Sequence, residues 1–499
     1  MSLRQSGSVA TSLALSASLT VALIATPLSA QSQLPARTDS AGRAFRVAPL
    51  ITTATRSPLS LTRVPQAVDV IDSSMLNDRP NTSPIQLLGD MPGVDLTGVG
   101  ANQVRPVIRG ERGQRILLLE DGLRLNNSRR QSDFGELASL VDPYTLSRIE
   151  VVRGPSSVLY GSDAIGGVVN LIGAGLPWEL NSGTIHGALR YTYGGNGNET
   201  RPGASLSGRT GRVTYRLDGA YRTADAYTAP AGTFGDVKLT SDQVVEGSGV
   251  TDRNVTAALG YEVSPRHRFY AKGSTYAADD AGFGMVDPAA IGENTTVEIL
   301  YPRQRVTRGT VGYLGRSLGS RFFDRVDASV YAQGNERDLA QNIRVPFGPS
   351  AYGDFHTRNF TDVGSVGGRL EAAKLLGSST LVTYGVDLFR DRTTNTDNDT
   401  TQIVGFGPTM TDVDSAPNLP NATYRALGLF AQSAFQVTGK LNLVVGARYQ
   451  DNKAETRTTP NLPDAPVSST DRAVAGAVNA LYSINDQVTI VGTVGRGSR

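Results

Sequence analysis

The stretch RIEVVRGPSSVLYGSDAIGGVVNLI, residues 148–172, is the most strongly patterned run in the chain. Apolar β-branched residues flank a centre that contains Gly154, Pro155, Gly161, Gly166 and Gly167. Glycines in such a place can cradle a phosphate, form the sharp turn of a nucleophile elbow, or fold a small domain tightly. The sequence here has neither G-x-x-x-x-G-K nor a G-x-G-x-x-G that opens a helix, and phosphate-binding loops depend on those patterns. We therefore interpret the stretch as the turn-rich end of a small domain.

The residues upstream of this stretch mix helix and strand signals. Ser83 can cap a short helix, Pro84 suits its first position, and Gly89 lies just past the expected end. A tight turn is predicted at Asp121-Gly122, and strands are predicted at residues 115–120 (RILLLE), 123–126, 148–153 and 168–172. Together these elements predict one compact α/β domain, because about 125 residues is an ordinary domain size.

After Trp178 the pattern changes to strict alternation of apolar and polar residues. Ile185, Leu189 and Tyr191 share one face of a predicted strand, whereas His186 and Arg190 share the other. Residues 212–222 and 441–450 repeat this pattern. A sheet face with so much charge cannot be a protein core, but it can line a water-filled lumen while the apolar face contacts lipid. The alternation therefore predicts a transmembrane antiparallel β-barrel.

The connections between the predicted strands are alternately short and long. The short ones read SGRTGR, SPRH, LGSR, LGSS, VTGK and INDQ, and the long ones lie near residues 225–250, 279–302, 337–360, 393–423 and 453–470. Short periplasmic turns and long outer loops are typical of outer-membrane barrels. The alternative, a soluble β-sandwich or solenoid, explains neither the charged alternating face nor this difference in loop length. We count thirteen strands, an odd number, and the sequence ends in GRGSR rather than in an aromatic-ended strand. This predicts a truncated barrel.

The N-terminus and the composition limit the compartment and the chemistry. Arg4 and the apolar run at residues 9–25, with small residues up to Ala30, predict a secretory signal peptide over residues 1–30. Residues 31–47 are predicted to be a flexible periplasmic segment. A net charge of +2 gives no nucleic-acid footprint. The absence of Cys excludes disulfides, thiolate metal sites and a Cys nucleophile.

These features together resemble one known family, the TonB-dependent outer-membrane receptors. The resemblance is carried by residues 148–172, almost residue for residue, and by MPGVDL (91–96), IRGERGQRILLLEDGLRLN (108–126) and VDPYTLSRIEVVRGP (141–155), in the family's order. The continuation NLIGAGLP (170–177) departs from the family, whose members usually have a Lys-containing strand end here. The resemblance implies an N-terminal α/β plug domain, residues 57–176, inside a barrel of the 22-stranded type. About thirteen of those strands would be present in a partial β-barrel over residues 177–499.

The resemblance also implies which plug residues belong to the signature. These are Arg109, Gly110, Asp121, Gly122, Glu150, Arg153, Gly154, Pro155, Tyr160, Gly161, Gly166 and Gly167. Glu150, Arg153, Arg109 and Arg112 are candidates for ion pairs between plug and barrel, because buried or lumen-facing charges are normally paired. The alternative is that these side chains only solvate the plug surface. The paired glycines 166 and 167 are expected to allow tight turns.

A TonB box is expected at residues 48–56, APLITTATR, just before the plug. Its centre is β-prone and uncharged, and comprises Leu50, Ile51, Thr52, Thr53 and Ala54. Such a strand can add to the sheet edge of a periplasmic partner through main-chain hydrogen bonds. The alternative is an ordinary first strand of the plug. By resemblance, the partners are TonB with its inner-membrane energising complex, and outer-membrane lipid.

The resemblance implies TonB-dependent active transport in the outer membrane of a Gram-negative-type bacterium. The expected cargo is a scarce nutrient, first of all a ferric siderophore or another small iron chelate, with haem or cobalamin as alternatives. A passive porin-like channel is the alternative from a different class. No cofactor, no resident metal, no nucleic-acid partner and no catalytic residue is expected.

One enzyme-like motif has to be weighed against this interpretation. Residues 315–319 read G-x-S-x-G, but a nucleophile elbow needs a strand, a turn and a helix, with Asp and then His downstream. We predict that this segment is a periplasmic turn between two strands. His186, His267 and His356 stand apart with no metal-binding spacing. The sequence therefore predicts a protein that is not an enzyme.

Overall fold

The structure is a computed structural model, and it describes residues 50–56, 59–60, 64–78, 83–98, 103–128, 137–377, 379–463, 466–485 and 488–497. The predicted signal peptide (1–30), the predicted flexible segment (31–47) and the first two residues of the predicted box lie outside the described residues. The described chain has two structural parts, a small mixed domain and a large antiparallel sheet.

Within the described residues, the small domain, which we call the plug, contains nine strands and most of the helices. Its strands are β1 (Leu50–Ile51), β2 (Leu59–Ser60), β3 (Ala67–Ile71), β4 (Val94–Thr97), β5 (Arg105–Ile108), β6 (Ile116–Glu120), β7 (Leu123–Arg124), β8 (Leu146–Arg153) and β9 (Gly167–Gly173). Its helices are α1 (Ser73–Asp78), α2 (Ser157–Tyr160) and 3-10 helices at Pro84–Asp90, Gly113–Arg115, Leu137–Ser139 and Pro143–Thr145. None of the helices in the described ranges is long and apolar enough to cross a membrane.

The plug sheet has the order β3-β8-β9-β6-β7, and β6 and β9 form its parallel pair. Residues 116–119 on β6 are buried on both faces, as are Val168 and Val169 on β9. A central strand covered on both sides reads as a continuous apolar run rather than an alternating one. This explains why RILLLE lacks alternation, and the predicted mixed α/β domain is confirmed.

The predicted turn at Asp121-Gly122 is confirmed by positive φ angles. Asp121 and Gly122, between β6 and β7, have φ of 52° and 75°, as the two central residues of a type I′ hairpin turn require. Gly154 and Gly161 have φ of 114° and 88°. The stretch also contains the short helix α2, which the sequence analysis did not predict.

Gly166 lies in the bend just before β9, whereas Gly167 is the first residue of that strand, so a tight turn does not explain Gly167. Neither has a positive φ. A Cβ added to Gly166 would lie 2.5 Å from Glu111 Cβ, and one added to Gly167 would lie 2.6 Å from the Val152 carbonyl oxygen. These glycines are therefore required by close packing of neighbouring backbone and side chains.

The predicted short helix is present but differs in type and extent. Ser83 caps it in a capping box with Gln86, and Pro84 is its first residue. It is a 3-10 helix that continues to Asp90, so Gly89 lies inside it rather than past its end. A Cβ on Gly89 would lie 2.9 Å from the Leu96 side chain, so this glycine again permits close packing.

The large antiparallel sheet forms the barrel wall. Its strands, with four short strands from the first long connection, are β10 (Ile185–Gly194), β11 (Glu199–Thr210), β12 (Val213–Ala224), β13 (Thr228–Ala229), β14 (Gly232–Phe234), β15 (Val237–Leu239), β16 (Gln243–Val244), β17 (Val250–Ser264), β18 (His267–Gly282), β19 (Thr296–Gly315), β20 (Arg325–Pro346), β21 (Tyr352–Leu376), β22 (Thr380–Val404), β23 (Met410–Asp414), β24 (Ala422–Gln436), β25 (Leu441–Thr456), β26 (Ser468–Ser483) and β27 (Thr489–Arg496). A 3-10 helix at Pro288–Ile291 lies between β18 and β19.

Thirteen strands follow one another in this sheet from β10 to β27, and β23 adds to β22 beside that path. The count of thirteen and the positions of the six short links are thereby confirmed. Within the described residues, β10 and β27 do not pair with each other, so the barrel is not closed.

The wall has the predicted apolar outer face and polar inner face. Leu189 is 90% exposed and other outward residues such as Leu259 and Val311 are also exposed, whereas Asp252 and Arg222 on the inner face are buried. An apolar outside and a polar, packed inside is the arrangement of a membrane barrel whose lumen is filled.

The predicted long links at 337–360 and 393–423 are mostly strand. β20, β21 and β22 have 22, 25 and 25 residues, whereas a strand needs about 9–11 residues to cross a membrane. The polar composition of these segments suggested loops. In the structure the segments are solvent-exposed strands, and cross-strand ion pairs such as Arg344 with Asp354, at 2.6 Å, help to hold them together. The strands therefore continue beyond the apolar band.

Candidate functional site

The residues that follow the N-terminal strand β1 contact both the plug and the barrel wall. β1 pairs antiparallel with β2. The chain then turns into the interior, where Thr53, Ala54 and Thr55 are at most 2% exposed. Ala54 packs in a cluster of buried plug residues that includes Leu117. The predicted box is thus docked, and its second half is buried.

Glu150, on β8, is the anchor of this segment. Its Oε2 accepts hydrogen bonds from the backbone N–H of Thr52 (3.1 Å), the backbone N–H of Thr53 (2.8 Å) and the Thr53 hydroxyl (2.5 Å). Its Oε1 accepts a 2.8 Å bond from Arg148 Nε. Glu150 is fully buried, so these four donors replace water around a charged group and make its burial tolerable.

Two further side chains complete the grip on Thr53. The Tyr160 hydroxyl, at the end of α2, donates to the Thr53 carbonyl oxygen at 2.8 Å. The Asn170 amide, on β9 directly opposite Glu150, donates to the Thr53 hydroxyl at 2.9 Å. Burial raises the pKa of Tyr160, which keeps this phenol protonated as a donor. Every polar group of Thr53 is therefore bound by the signature stretch or its neighbour strand.

Arg56 connects the same segment to the barrel wall. Its guanidinium makes a two-pronged contact with Asp387 on β22, at 3.0 and 2.9 Å. It lies between the Tyr160 and Phe430 rings, 4.5 and 4.3 Å from their centroids. The Arg56 carbonyl accepts from Arg325 at 2.5 Å. Burial opposes the charged form of Arg56, but the Asp387 carboxylate outweighs this and raises its pKa.

A second junction holds the β6–β7 turn against the wall. Lys272 Nζ, on β18, lies 3.1 Å from Glu120 Oε1 and 2.6 Å from Asp121 Oδ2. Arg369, on β21, donates to the Gly122 carbonyl at 2.8 Å. Burial disfavours the Asp121 carboxylate, but Lys272 outweighs it, and the pKa of Asp121 is lowered. This turn and Arg56 are two points where plug charges meet barrel charges.

Among the described residues, none of the four residues predicted to form plug–barrel ion pairs does so. Glu150 pairs with Arg148, and Arg153 pairs with Asp69 at 2.8 Å, so both pairs are within the plug and that expectation is wrong for them. For Arg109, which has a φ of 51°, and for Arg112, no ion pair is found among the described residues. Arg109 donates its backbone N–H to Gly93 at 3.0 Å.

The remaining signature positions have structural roles around these contacts. Gly110 has a φ of 81°, and the Gly154 N–H donates to the Gly166 carbonyl at 3.0 Å. Pro155 follows at the start of the turn that leads into α2. The sequence did not reveal Asp387, Lys272 or Arg369 as plug partners. Their places on the lumen face of alternating strands could be predicted, but the plug group opposite each one could not.

The enzyme-like features do not assemble into a site. Ser317 lies in the link between β19 and β20, as predicted, with no helix after it. His267 shares a 2.8 Å contact with the Tyr313 hydroxyl, and His356 lies on β21 rather than in a loop. Across the described ranges, no group of three or more His, Asp or Glu side chains could hold a metal ion.

The sequence matches two protein-family models that follow the two structural parts. Residues 60–168 match the TonB-dependent Receptor Plug Domain, and residues 123–499 match the family described as TonB dependent receptor-like, beta-barrel.

Several curated proteins align with part of the chain. A hemin receptor of Yersinia enterocolitica is 33% identical over 190 residues, which is 36% of this chain and 27% of that protein. The vitamin B12 transporter BtuB of Photobacterium profundum is 27% identical over 45% of this chain and 34% of its own length. The ferric enterobactin receptor PirA of Pseudomonas aeruginosa is 30% identical over 42% of this chain and 31% of its own length. The chain thus spans roughly a third of the length of the curated relatives it matches.

Among solved structures, the copper transporter OprC superposes with a TM-score of 0.65 at 16% identity, covering 86% of this chain and 63% of that one. At this identity the likeness concerns the fold, a plug within a barrel.

Proposed function

The chain belongs to the family of TonB-dependent receptors, and we propose that it is an active transporter driven by TonB through the segment at residues 48–56. Members of this family are outer-membrane receptors and transporters rather than enzymes. The observation that carries the proposal is the docking of this segment. β1 is a strand of only 2 residues, and its continuation is bound at one residue, Thr53, by three side chains of the plug.

Such an arrangement suits a segment that must be reversibly withdrawn. β1 has a small partner strand of only 2 residues, β2, so little backbone pairing would be lost when it adds to the sheet edge of a periplasmic partner. The contacts that follow β1 reach two side chains of the plug's central sheet, Glu150 and Asn170, as well as Asp387 of the barrel wall. A pull on the segment would therefore act on the plug and not on the barrel wall alone.

We further propose an iron complex as the cargo, first of all a ferric siderophore. The support is that relatives of this chain are named as a hemin receptor and a ferric enterobactin receptor. A vitamin B12 transporter is also among them, so haem and cobalamin are the alternative cargoes. For haem, the histidines give no added support, because His186, His267 and His356 lie on three different strands, β10, β18 and β21.

The decisive experiment compares uptake of radiolabelled iron by cells that express the chain. We expect uptake to stop when a protonophore dissipates the proton gradient or when TonB is deleted. An Ile51→Pro substitution should abolish uptake because proline cannot donate a main-chain hydrogen bond to a partner strand. The matched variant Ile51→Ala keeps that N–H and should retain most uptake.

Uptake that persists without the gradient would favour the passive porin-like channel and contradict the proposal. Parallel assays with a ferric siderophore, haemin and cyanocobalamin, each tested for competition against the others, would identify the cargo. If only cyanocobalamin is taken up, the iron proposal fails while TonB dependence stands.

A further inference from the structure

A cavity with a volume of about 770 Å³ lies between the plug and the first long connections of the wall. The plug contributes Gln86 and Val104 to its lining, and the wall contributes residues around the β10–β11 link, the β12–β17 connection and the β18–β19 connection. All three connections are at the end of the wall opposite the six short links. In the proposed outer-membrane orientation this end faces the medium, so an incoming cargo meets this cavity. Its volume is that of an ordinary ligand pocket.

The wall of the cavity is held in place by hydrogen bonds. The β12–β17 connection folds into two small hairpins, in which β13 pairs with β16 and β14 pairs with β15. Glu246 exchanges two backbone hydrogen bonds of 2.8 Å with Met285, which joins this connection to the next one along the wall. The Tyr227 N–H donates to the Ser248 hydroxyl oxygen at 3.0 Å. The cavity is therefore a formed site rather than a gap between loose loops.

The lining of the cavity is mainly apolar. Three aromatic rings, those of Tyr227, Phe234 and Phe283, contribute to it. Phe234 and Val237 lie directly opposite each other in the β14–β15 hairpin and are 50% and 38% exposed. Contact with an apolar ligand would remove this surface from water, which favours binding. The cavity therefore fits a ligand whose outer surface is largely apolar.

The charged groups of the lining are negative. Among the described residues that line the cavity, none is Lys, Arg or His, and two are acidic, Glu199 and Asp225. The Glu199 carboxylate lies 3.9 Å from Nε of the buried Arg201, which offsets part of its charge. Asp225 is exposed, and its carboxylate accepts a 3.2 Å hydrogen bond from the neutral Asn198 amide. A cargo in this cavity thus meets a carboxylate that no described lining cation offsets.

The connections around the cavity add charge of the same sign. Residues 225–249 and 283–295 contain six carboxylates and a single basic side chain, Lys238. In the part of the chain that the structure describes, none of these seven groups forms an ion pair. Such charges act over about 8 Å at physiological ionic strength. Together they repel anions from the entrance of the cavity and attract cations.

We propose that this cavity is the cargo site and that it selects iron chelates with an apolar surface and no net negative charge. The inference deepens the proposed function, and it rests on that function for the orientation of the wall and for iron as the cargo. Hydroxamate groups balance the charge of Fe(III) without excess, so their ferric chelates are neutral, or cationic where the ligand also carries an ammonium group. Catecholate groups leave an excess of negative charge, and haem carries propionate carboxylates. The cavity therefore favours a hydroxamate chelate over both.

The test is binding of ferric chelates to the purified full chain in neutral detergent, measured by isothermal titration calorimetry. The probes are ferrichrome, which is neutral, ferrioxamine B, which is cationic, and ferric enterobactin, which is anionic. We expect the first two to bind at least about tenfold more tightly than the third, because like charges brought together at a binding site weaken binding by that factor or more. Raising the salt concentration should narrow the difference, since salt screens exposed charges.

Two variants test whether the chelates bind in this cavity. Asp225→Asn should weaken binding of ferrioxamine B about threefold to fivefold, the size of an exposed charge pair, and should leave ferrichrome binding unchanged. Phe234→Ala should weaken both chelates about tenfold through the loss of apolar contact. The control D236N removes a carboxylate of the same connection that does not line the cavity, and the control F347A removes a ring that is 49% exposed in another connection. Both controls should bind the chelates as the wild type does.

Tighter binding of ferric enterobactin than of ferrichrome would overturn the inference and leave an iron-siderophore cargo standing. Equal affinities for the three chelates, or binding of none of them, would overturn it too, and these comparisons on the wild type do not depend on a variant folding. Wild-type affinities in both Asp225→Asn and Phe234→Ala would mean that the cargo binds elsewhere, and would also overturn it. TonB dependence is decided separately, by the effect of the proton gradient on uptake.

Discussion

Replacing Glu150 by glutamine is the sharpest test of how the N-terminal segment is held. The substitution preserves shape and one acceptor oxygen but removes the charge that three donors of Thr52 and Thr53 share. If the amide oxygen takes the place of Oε2, its NH₂ group faces Arg148, which is itself only a donor. Glutamine therefore cannot satisfy both sides of the site, and we expect E150Q to free the segment.

The size of the effect can be estimated from the bonds. A hydrogen bond to a charged group contributes about 1.5–3 kcal/mol and a neutral one about 1 kcal/mol. Each of the three bonds thus weakens by about 1 kcal/mol. Bonds that share one oxygen are not additive, so we expect a loss of about 2–3 kcal/mol in the free energy of docking. Since about 1.4 kcal/mol is a factor of ten, the undocked population rises roughly 30- to 150-fold.

Hydrogen–deuterium exchange at the Thr52 and Thr53 amides measures this population directly, because exchange of a locally docked segment follows its opening equilibrium. Exchange should accelerate by the same factor in E150Q. The matched control is E111Q, which removes a carboxylate whose 2.7 Å pair with Arg115 is partly exposed. Such a surface pair contributes little, and exchange at Thr52 and Thr53 should not change.

Equal exchange in E150Q and the wild type would refute the assignment of Glu150 as the anchor. Faster exchange throughout the plug, rather than at the segment, would also refute it, because it would mean that Glu150 stabilises the sheet as a whole. If the proposed TonB dependence is right, E150Q should bind the periplasmic part of TonB more tightly, since docking competes with partner binding.

Two further predictions concern the plug itself. Gly167→Ala should lower the free energy of unfolding by about 1–3 kcal/mol, as measured by urea denaturation, because the added methyl group overpacks against the Val152 carbonyl. The control Gly175→Ala, at an open position, should leave the free energy of unfolding unchanged. Equal urea midpoints for the two variants would contradict the close-packing argument. The lowered pKa of Asp121 beside Lys272 contributes stability that is complete above the ordinary carboxyl value of 3.8 and is lost as the pH falls through the lower native value. Asp121→Asn should therefore flatten the acid dependence of the urea midpoint in this window, and an unchanged pH profile would count against the ion pair.

The barrel strands could be predicted because a residue in the barrel wall faces either the lipid or the lumen. Leu189 on the apolar face and Arg222 on the lumen face follow from alternation alone, and the strand count was correct. The ends of the strands could not be predicted in the same way. Outside the membrane the ribbon of β20, β21 and β22 is polar on both faces, and such a sequence looks like a loop until its cross-strand partners are known.

The docking site was only half predictable, for a related reason. Thr53 could be placed in a β-prone segment and Glu150 in a signature strand, but 97 positions separate them. Nothing local indicates that one binds the other, and the charge of Glu150 suggested a barrel partner. The barrel uses different plug groups, Arg56 and the Asp121-Gly122 turn, because these lie at the plug surface while Glu150 lies beneath it.

The contacts around Thr53 also indicate what should give way first under tension on β1. Asn170 donates to Thr53 and accepts from the Gly122 N–H at 3.0 Å, and the Gly122 carbonyl is held by Arg369 of the wall. A pull thus reaches Thr53 before it reaches the sheet. Three hydrogen bonds to one carboxylate oxygen, two from backbone N–H groups and one from a hydroxyl, are a smaller barrier than the seven cross-strand pairs of β8 and β9, whose apolar side chains are buried as well. We therefore expect the segment to leave Glu150 while the central sheet is intact.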